Sequence, residues 1–113
     1  MTEKKRNTYG LTQRDMAAIW SIFEGYPEVK MVYLFGSRAK GNYRPGSDID
    51  LAIMNEGVSA KKLAKLKSDF EDSNLPYNVD LVDFNQLENR GFIDHIKRVG
   101  IPFFKRSELV SSD

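Results

Sequence analysis

The chain has 113 residues, seventeen Lys and Arg against sixteen Asp and Glu, and no cysteine. That length fits one domain and leaves no room for a separate substrate-binding domain. A formal charge of +1 does not mark a nucleic-acid binder, and the missing thiols exclude a disulfide framework or a thiolate metal site.

Residues 1–11 are polar and are expected to form a flexible N-terminus. The charged start has no apolar run behind it, so it does not read as a signal peptide. No apolar stretch approaches the ~20 residues that span a bilayer. A soluble cytoplasmic domain over residues 12–105, with a polar tail at 106–113 and no membrane partner, is the expectation.

Thr12 and Asp15 have capping-box spacing, and Met16, Ile19, Trp20 and Phe23 follow on one helical face, with Trp20 and Phe23 expected in the core. Gly25 and Pro27 end that helix. Val29 to Phe35 is an apolar run broken only by Lys30 and reads as a buried strand. Gly36 to Ser47 is rich in Gly, Ser and basic residues and reads as a turn, a short helix and a loop. From Asp48 to Met54 the pattern alternates, with Ile49, Leu51 and Ile53 facing the core and Asp48, Asp50 and Ala52 the other way. Ser59 caps a helix bearing Leu63, Leu66 and Phe70, whose opposite face is Lys61, Lys62, Lys65 and Lys67. Tyr77 to Val82 is a third strand. Asp83 has cap spacing for a helix reaching about Asn89, and Phe92, Ile93, Ile96 and Val99 mark a last helix. Phe103 and Phe104 are expected to tuck back onto the core. The expected fold class is α+β, an α/β sandwich whose small mixed sheet of three to four strands is covered by helices on one face, the other staying open.

The chemistry concentrates between Gly36 and Asp50. A strand ending in Gly36-Ser37 at a helix start offers backbone amides and a hydroxyl to phosphate. Asp48 and Asp50, at i and i+2 on a strand, point the same way with Cα atoms ~7 Å apart. Two carboxylates on one surface repel unless a cation lies between them, and a hard divalent ion such as Mg²⁺ takes oxygen ligands. Asp80 is the third acid, on the next strand and the same face. It is preferred to Asp83, which has an ordinary role as a helix cap. Together these are the parts of two-metal phosphoryl transfer. Arg38 and Lys40 are expected at the phosphates, with Arg44 nearby. Residues 1–47 hold eight basic and four acidic side chains, residues 48–113 nine basic and twelve acidic, and the motif accounts for much of that asymmetry. Ser47 is a candidate phosphate contact whose simpler role is bonding its own turn. His95 reads as a surface histidine, and the lysine face of the third helix as a solvated one.

Gly36-Ser37, ten residues, then Asp48-Ile49-Asp50, with Asp80 in Asn78-Val79-Asp80-Leu81-Val82, resembles the nucleotidyltransferase superfamily related to DNA polymerase β. The resemblance runs from about residue 12 to residue 105 and implies a palm-like fold. It implies Asp48, Asp50 and Asp80 as catalytic and metal-binding residues. Gly36, Ser37, Arg38, Lys40 and Ser47 are implied as nucleotide contacts, and two Mg²⁺ ions, or Mn²⁺, as cofactors. The short length is similar to the minimal nucleotidyltransferases, commonly encoded beside a helical HEPN partner. In characterised pairs the HEPN protein is a toxic ribonuclease, and the antitoxin transfers AMP from ATP to its tyrosine. That implies an ATP- or NTP-using antitoxin with a HEPN-like partner, leaves homo-oligomerisation open and does not favour nucleic acid. Rival readings are transfer to a small molecule or an RNA end, and an antitoxin that acts by contact alone.

Overall fold

The computed structural model describes residues 6–106. Among the described residues four helices and four strands alternate. They are α1 (Gln13–Glu24), β1 (Met31–Phe35), α2 (Gly36–Lys40), β2 (Ile49–Ile53), α3 (Ala60–Glu71), β3 (Val79–Asp83), α4 (Arg90–Val99) and β4 (Ile101–Lys105). The sheet order is β3-β2-β1-β4. β1 pairs antiparallel with β2 and β4, and β2 pairs parallel with β3, so the sheet is mixed.

Local chemistry explains where the helices begin. Thr12 accepts from the Asp15 amide at 3.0 Å while Asp15 accepts from the Thr12 amide at 3.0 Å, a reciprocal cap that satisfies two orphan donors. Ser59 caps α3 through the Lys62 amide at 3.1 Å. The apolar faces of α1 and α3 then meet one side of the sheet. Ile19, Phe23, Leu66 and Phe70 bury against Val32, Leu34, Ile49, Leu51, Ile53 and Leu81. Phe23 sits between Phe70 and Phe104, with ring centroids 5.4 and 5.2 Å away.

The other side of the sheet is not left open as the alternation implies. Phe35, Ala52 and Ile96 form a second buried cluster, flanked by Val82, Phe84, Leu87 and Phe92. α4 therefore covers part of that side, and Ala52 is fully buried although it shares a face with Asp50. The uncovered remainder is the end carrying the acids.

Further differences have simple causes. β4 is a fourth strand that pattern reading takes for a tucked-in segment. Pro102 is tolerated because β4 is an edge strand, where a missing amide costs little. After Asp83 there is only a single 3-10 turn, Phe84–Gln86, because Asp83 accepts from the Asn85 amide and Leu87 is extended. Trp20 stays at the core's rim at 36% exposure, its indole N–H donating to the Phe103 carbonyl at 3.3 Å. Packing also extends beyond residues 12–105. Leu11 is buried, and the Arg106 guanidinium donates to the carbonyls of Phe23, Tyr26 and Val29. The remainder of the expected flexible start, residues 1–5, and of the expected tail, residues 107–113, lies outside the described residues.

Candidate active site

β1 delivers the chain to Gly36, where α2 turns away at once. Gly36 has φ +77°. A Cβ built there would collide with the Asp50 carboxylate, so only glycine admits this approach. Phe35 is the register partner of Asp50, which places the Gly36 turn beside that carboxylate. Asp50 is in turn the register partner of Asp80 on β3. Their side chains leave the same face of adjacent strands. Asp48 precedes β2 and is exposed.

The electrostatics follow from that crowding. Asp50 is half-buried, and its carboxyl is pushed up to about 6, first by burial and then by the charges of Asp80 and Asp48. The Arg38 guanidinium opposes this only partly. Among the described residues no three acids or histidines stand as a ready-made metal cage. The donors still fit a hard divalent cation. They are all carboxylate oxygens on one surface, the charges of Asp80 and Asp48 raise the proton affinity of Asp50, and Gly36 leaves the Asp50 carboxylate unobstructed.

Around this centre the other residues singled out in the sequence divide. Ser37 lies in the first turn of α2, half-buried, and Lys40 is exposed at the end of α2. Both are on the Gly36 side of Asp50. Ser47 bonds its own turn, its hydroxyl accepting from the Arg44 amide at 2.9 Å. Arg38 does not stand free at the phosphate side. It is 2% exposed. Nε and Nη2 donate to the Ser47 carbonyl at 3.2 and 2.8 Å, and Nη1 donates to the Tyr9 carbonyl at 2.7 Å. Its cationic plane also lies 4.6 Å from the Tyr77 ring centroid and 5.2 Å from that of Tyr43. A guanidinium occupied in this way braces the residue preceding Asp48 instead of reaching outward.

His95 is half-buried and meets Phe35 edge-on, with centroids 6.2 Å apart. The α3 lysines are exposed, and Lys62 pairs with Glu28 at 3.4 Å. Pattern reading misses Tyr77, which joins Arg38 and lines a cavity of about 440 Å³ together with Asp48, Glu71, Asn78 and Asp80. Nothing local in the sequence signals this, because the contact between Tyr77 and Arg38 is made by the tertiary fold.

The family model described as "Polymerase beta, Nucleotidyltransferase" matches residues 17–109. The chain belongs to that family. A curated relative of this nucleotidyltransferase, from Haemophilus influenzae, is named a probable protein adenylyltransferase MntA. It is 30% identical over 101 residues, covering 88% of each chain. A putative nucleotidyltransferase from Sulfolobus solfataricus has a solved structure 28% identical to this chain, with TM-score 0.54, covering 82% of this chain and 78% of that one. The fold is also that of a chain in a toxin–antitoxin crystal structure with AMP-PNP. There the TM-score is 0.65 at 23% identity, covering 83% of this chain and 76% of that one. A tri-AMPylated Shewanella oneidensis HEPN toxin in complex with MNT antitoxin gives TM-score 0.60 at 21% identity, covering 87% and 76%. The four-stranded α+β architecture and the resemblance to minimal nucleotidyltransferases are thus matched by relatives found independently. Among the described residues no helix is long and apolar enough to cross a membrane.

Proposed function

We propose that this nucleotidyltransferase moves AMP from ATP to a hydroxyl group on a HEPN-like partner protein, as the antitoxin of a toxin–antitoxin pair in the cytoplasm. The observation that carries the chemistry is the register pairing of Asp50 with Asp80 beside a glycine whose missing side chain admits the Asp50 carboxylate. The relative named a probable protein adenylyltransferase supports the choice of donor and of a protein acceptor.

In this reading Asp48 and Asp50 hold divalent cations, Mg²⁺ first and Mn²⁺ as a substitute, with Asp80 completing the set beside Asp50. Bound cations supply charge neutralisation for the triphosphate and lower the pKa of the attacking hydroxyl. The amides of the Gly36–Ser37 turn, the Ser37 hydroxyl and the Lys40 ammonium receive phosphate oxygens. Asp80 accepts a hydrogen bond from the acceptor hydroxyl and draws off its proton. The oxygen then bonds to the α-phosphorus in line as the bond to pyrophosphate breaks. Ser47 and Arg38 act behind this set, holding the loop that ends at Asp48.

The test is transfer of labelled AMP from ATP to a HEPN-like protein co-purified with this chain. Transfer should need a divalent cation and be lost in Asp48→Ala and Asp50→Ala. An Asp48→Ala/Asp50→Ala double mutant that still transfers would sink the catalytic assignment. Protection of cells by a transfer-dead mutant would replace it with inhibition by contact.

A further inference from the structure

A second cavity, of about 500 Å³, opens on the far side of the loop that ends at Asp48. The rings of Tyr43, Tyr77, Pro45 and Pro76 line it, together with two arginines, buried Arg38 and exposed Arg6. No acidic side chain lines it, and neither Gly36, Lys40 nor any of the three aspartates of the transfer site reaches it. Size and ring-rich lining are those of a site for a small molecule. Gly10 closes one side. A Cβ built there would collide with Arg38 Nη1 and with the Tyr43 ring, so the backbone itself forms that wall.

Arg38 shows what the cavity lacks. A guanidinium has five N–H donors and a fixed positive charge. Nε and Nη2 share the Ser47 carbonyl, and Nη1 donates to the Tyr9 carbonyl. Three donors are thus met by two neutral acceptors, and two donors remain. Arg38 is 2% exposed, and no carboxylate pairs with it among the described residues. Buried charges are ordinarily paired. The faces of Tyr43 and Tyr77 offset part of the cost. Asp15, which meets the Tyr77 hydroxyl at 3.4 Å, does not supply the rest, since its carboxylate accepts from the Thr12 amide in the cap of α1.

We propose that this cavity binds a planar aromatic carboxylate. The two oxygens of one carboxylate match the two spare N–H donors of Arg38. The ring of the ligand packs among Tyr43, Tyr77 and the two prolines, and Arg6 adds attraction at the exposed side. A phosphate fits less well, because its third oxygen and second charge meet rings instead of donors. The same chemistry has two sources, a free aromatic acid or the aromatic last residue of a polypeptide. The proposal does not depend on the transferase reading.

The experiment uses the full chain without metal or nucleotide. N-acetyltyrosine and its amide share one ring and differ by the carboxylate, and calorimetry with backbone amide NMR shifts follows their binding. The acid should bind about 10-fold more tightly than the amide at low salt, and the gap should shrink at high salt. Shifts should centre on Gly10, Gly46 and Tyr77. Arg38→Met is expected to destabilise the fold, so two other variants carry the test. Arg6→Glu should weaken the acid about 10-fold and leave the amide unchanged. Tyr43→Ala should weaken both about 10-fold. Equal binding of acid and amide, or an acid affinity indifferent to Arg6→Glu, overturns the proposal. AMP displacing N-acetyltyrosine and binding more tightly also overturns it, and gives the cavity to a nucleotide. A peptide ending in tyrosine with a free carboxylate separates the sources. Tighter binding than N-acetyltyrosine supports the site and assigns it to a polypeptide end, and weaker binding supports it as a site for a free acid.

Discussion

Single side chains here carry duties that residue type alone misstates. Arg38 follows a Gly-Ser turn and has the chemistry of an anion contact, yet its fork is spent on the Ser47 and Tyr9 carbonyls. Its removal orphans part-buried acceptors in two chain segments, at about 1–3 kcal/mol for each unsatisfied group at most. Arg38→Met should therefore lower the melting temperature sharply, and Arg38→Lys should recover only part of the loss because an ammonium lacks the planar fork. Thermal melts with the KM for ATP check this. A stable Arg38→Met chain with a raised KM would return Arg38 to the phosphates. Gly36 gives the complementary case. Gly36→Ala meets both a positive φ and the Asp50 carboxylate. A displacement of that carboxylate by ~1 Å is enough for roughly a 100-fold loss of AMP transfer. The stability cost should stay near ~1–2 kcal/mol, because the site faces solvent and can relax. A transfer assay beside a melt separates the two effects.

At the level of elements, legibility follows periodicity. α1 and α3 are readable from caps and apolar spacing, and β1 and β2 from an apolar run and a two-residue alternation. That same alternation puts Asp50 and Asp80 on one face, which is why the core of the candidate site is visible before any fold is known. β4 is not visible, since Pro102 stands second in it and Phe103-Phe104 breaks any alternation. Nor is the cover that α4 lays over Ala52 and Phe35, because Ala52 reads as a mate of the acids. The role of Arg38 stays hidden for a third reason, as its carbonyl partners are fixed by tertiary approach. The unread strand still matters to stability. Phe104 is 2% exposed and meets Phe23 and Trp20 at 5.2 and 4.9 Å. Phe104→Ala should cost about 3–5 kcal/mol, as much as Phe23→Ala, by cavity formation and lost apolar transfer. Denaturant unfolding of both variants tests whether the edge strand is part of the cooperative core, and a loss under ~1 kcal/mol would remove it from that core.

The whole molecule couples stability to the charge state of the site. Asp50 has its carboxyl raised from 3.8 to about 6 by burial and by Asp80 and Asp48. Its folded-state pKa thus lies above its unfolded value. The favourable contribution is complete below pH ~4 and is lost as pH rises through ~6. Solvent reaches half of this group, so the two-unit shift counts at half its face value, about 1–2 kcal/mol lost between pH 4 and neutral pH. Without metal, then, Asp50→Asn should melt higher than the parent chain at pH 7.5, and the gap should close toward pH 4. A divalent cation reverses the slope, because its ligands must be deprotonated and its stabilisation grows as pH rises through the same window. Adding Mg²⁺ or Mn²⁺ at pH 7.5 should raise the parent's melting temperature and leave Asp50→Asn nearly unmoved. The crossing of the two curves is the diagnostic feature. Parallel curves with and without metal would mean that the Asp50 charge is compensated within the chain and that the acidic face is not a cation site. A site opposed by its own carboxylate charges is what the transferase reading expects, because the charges that would hold a cation are the ones that oppose folding at neutral pH.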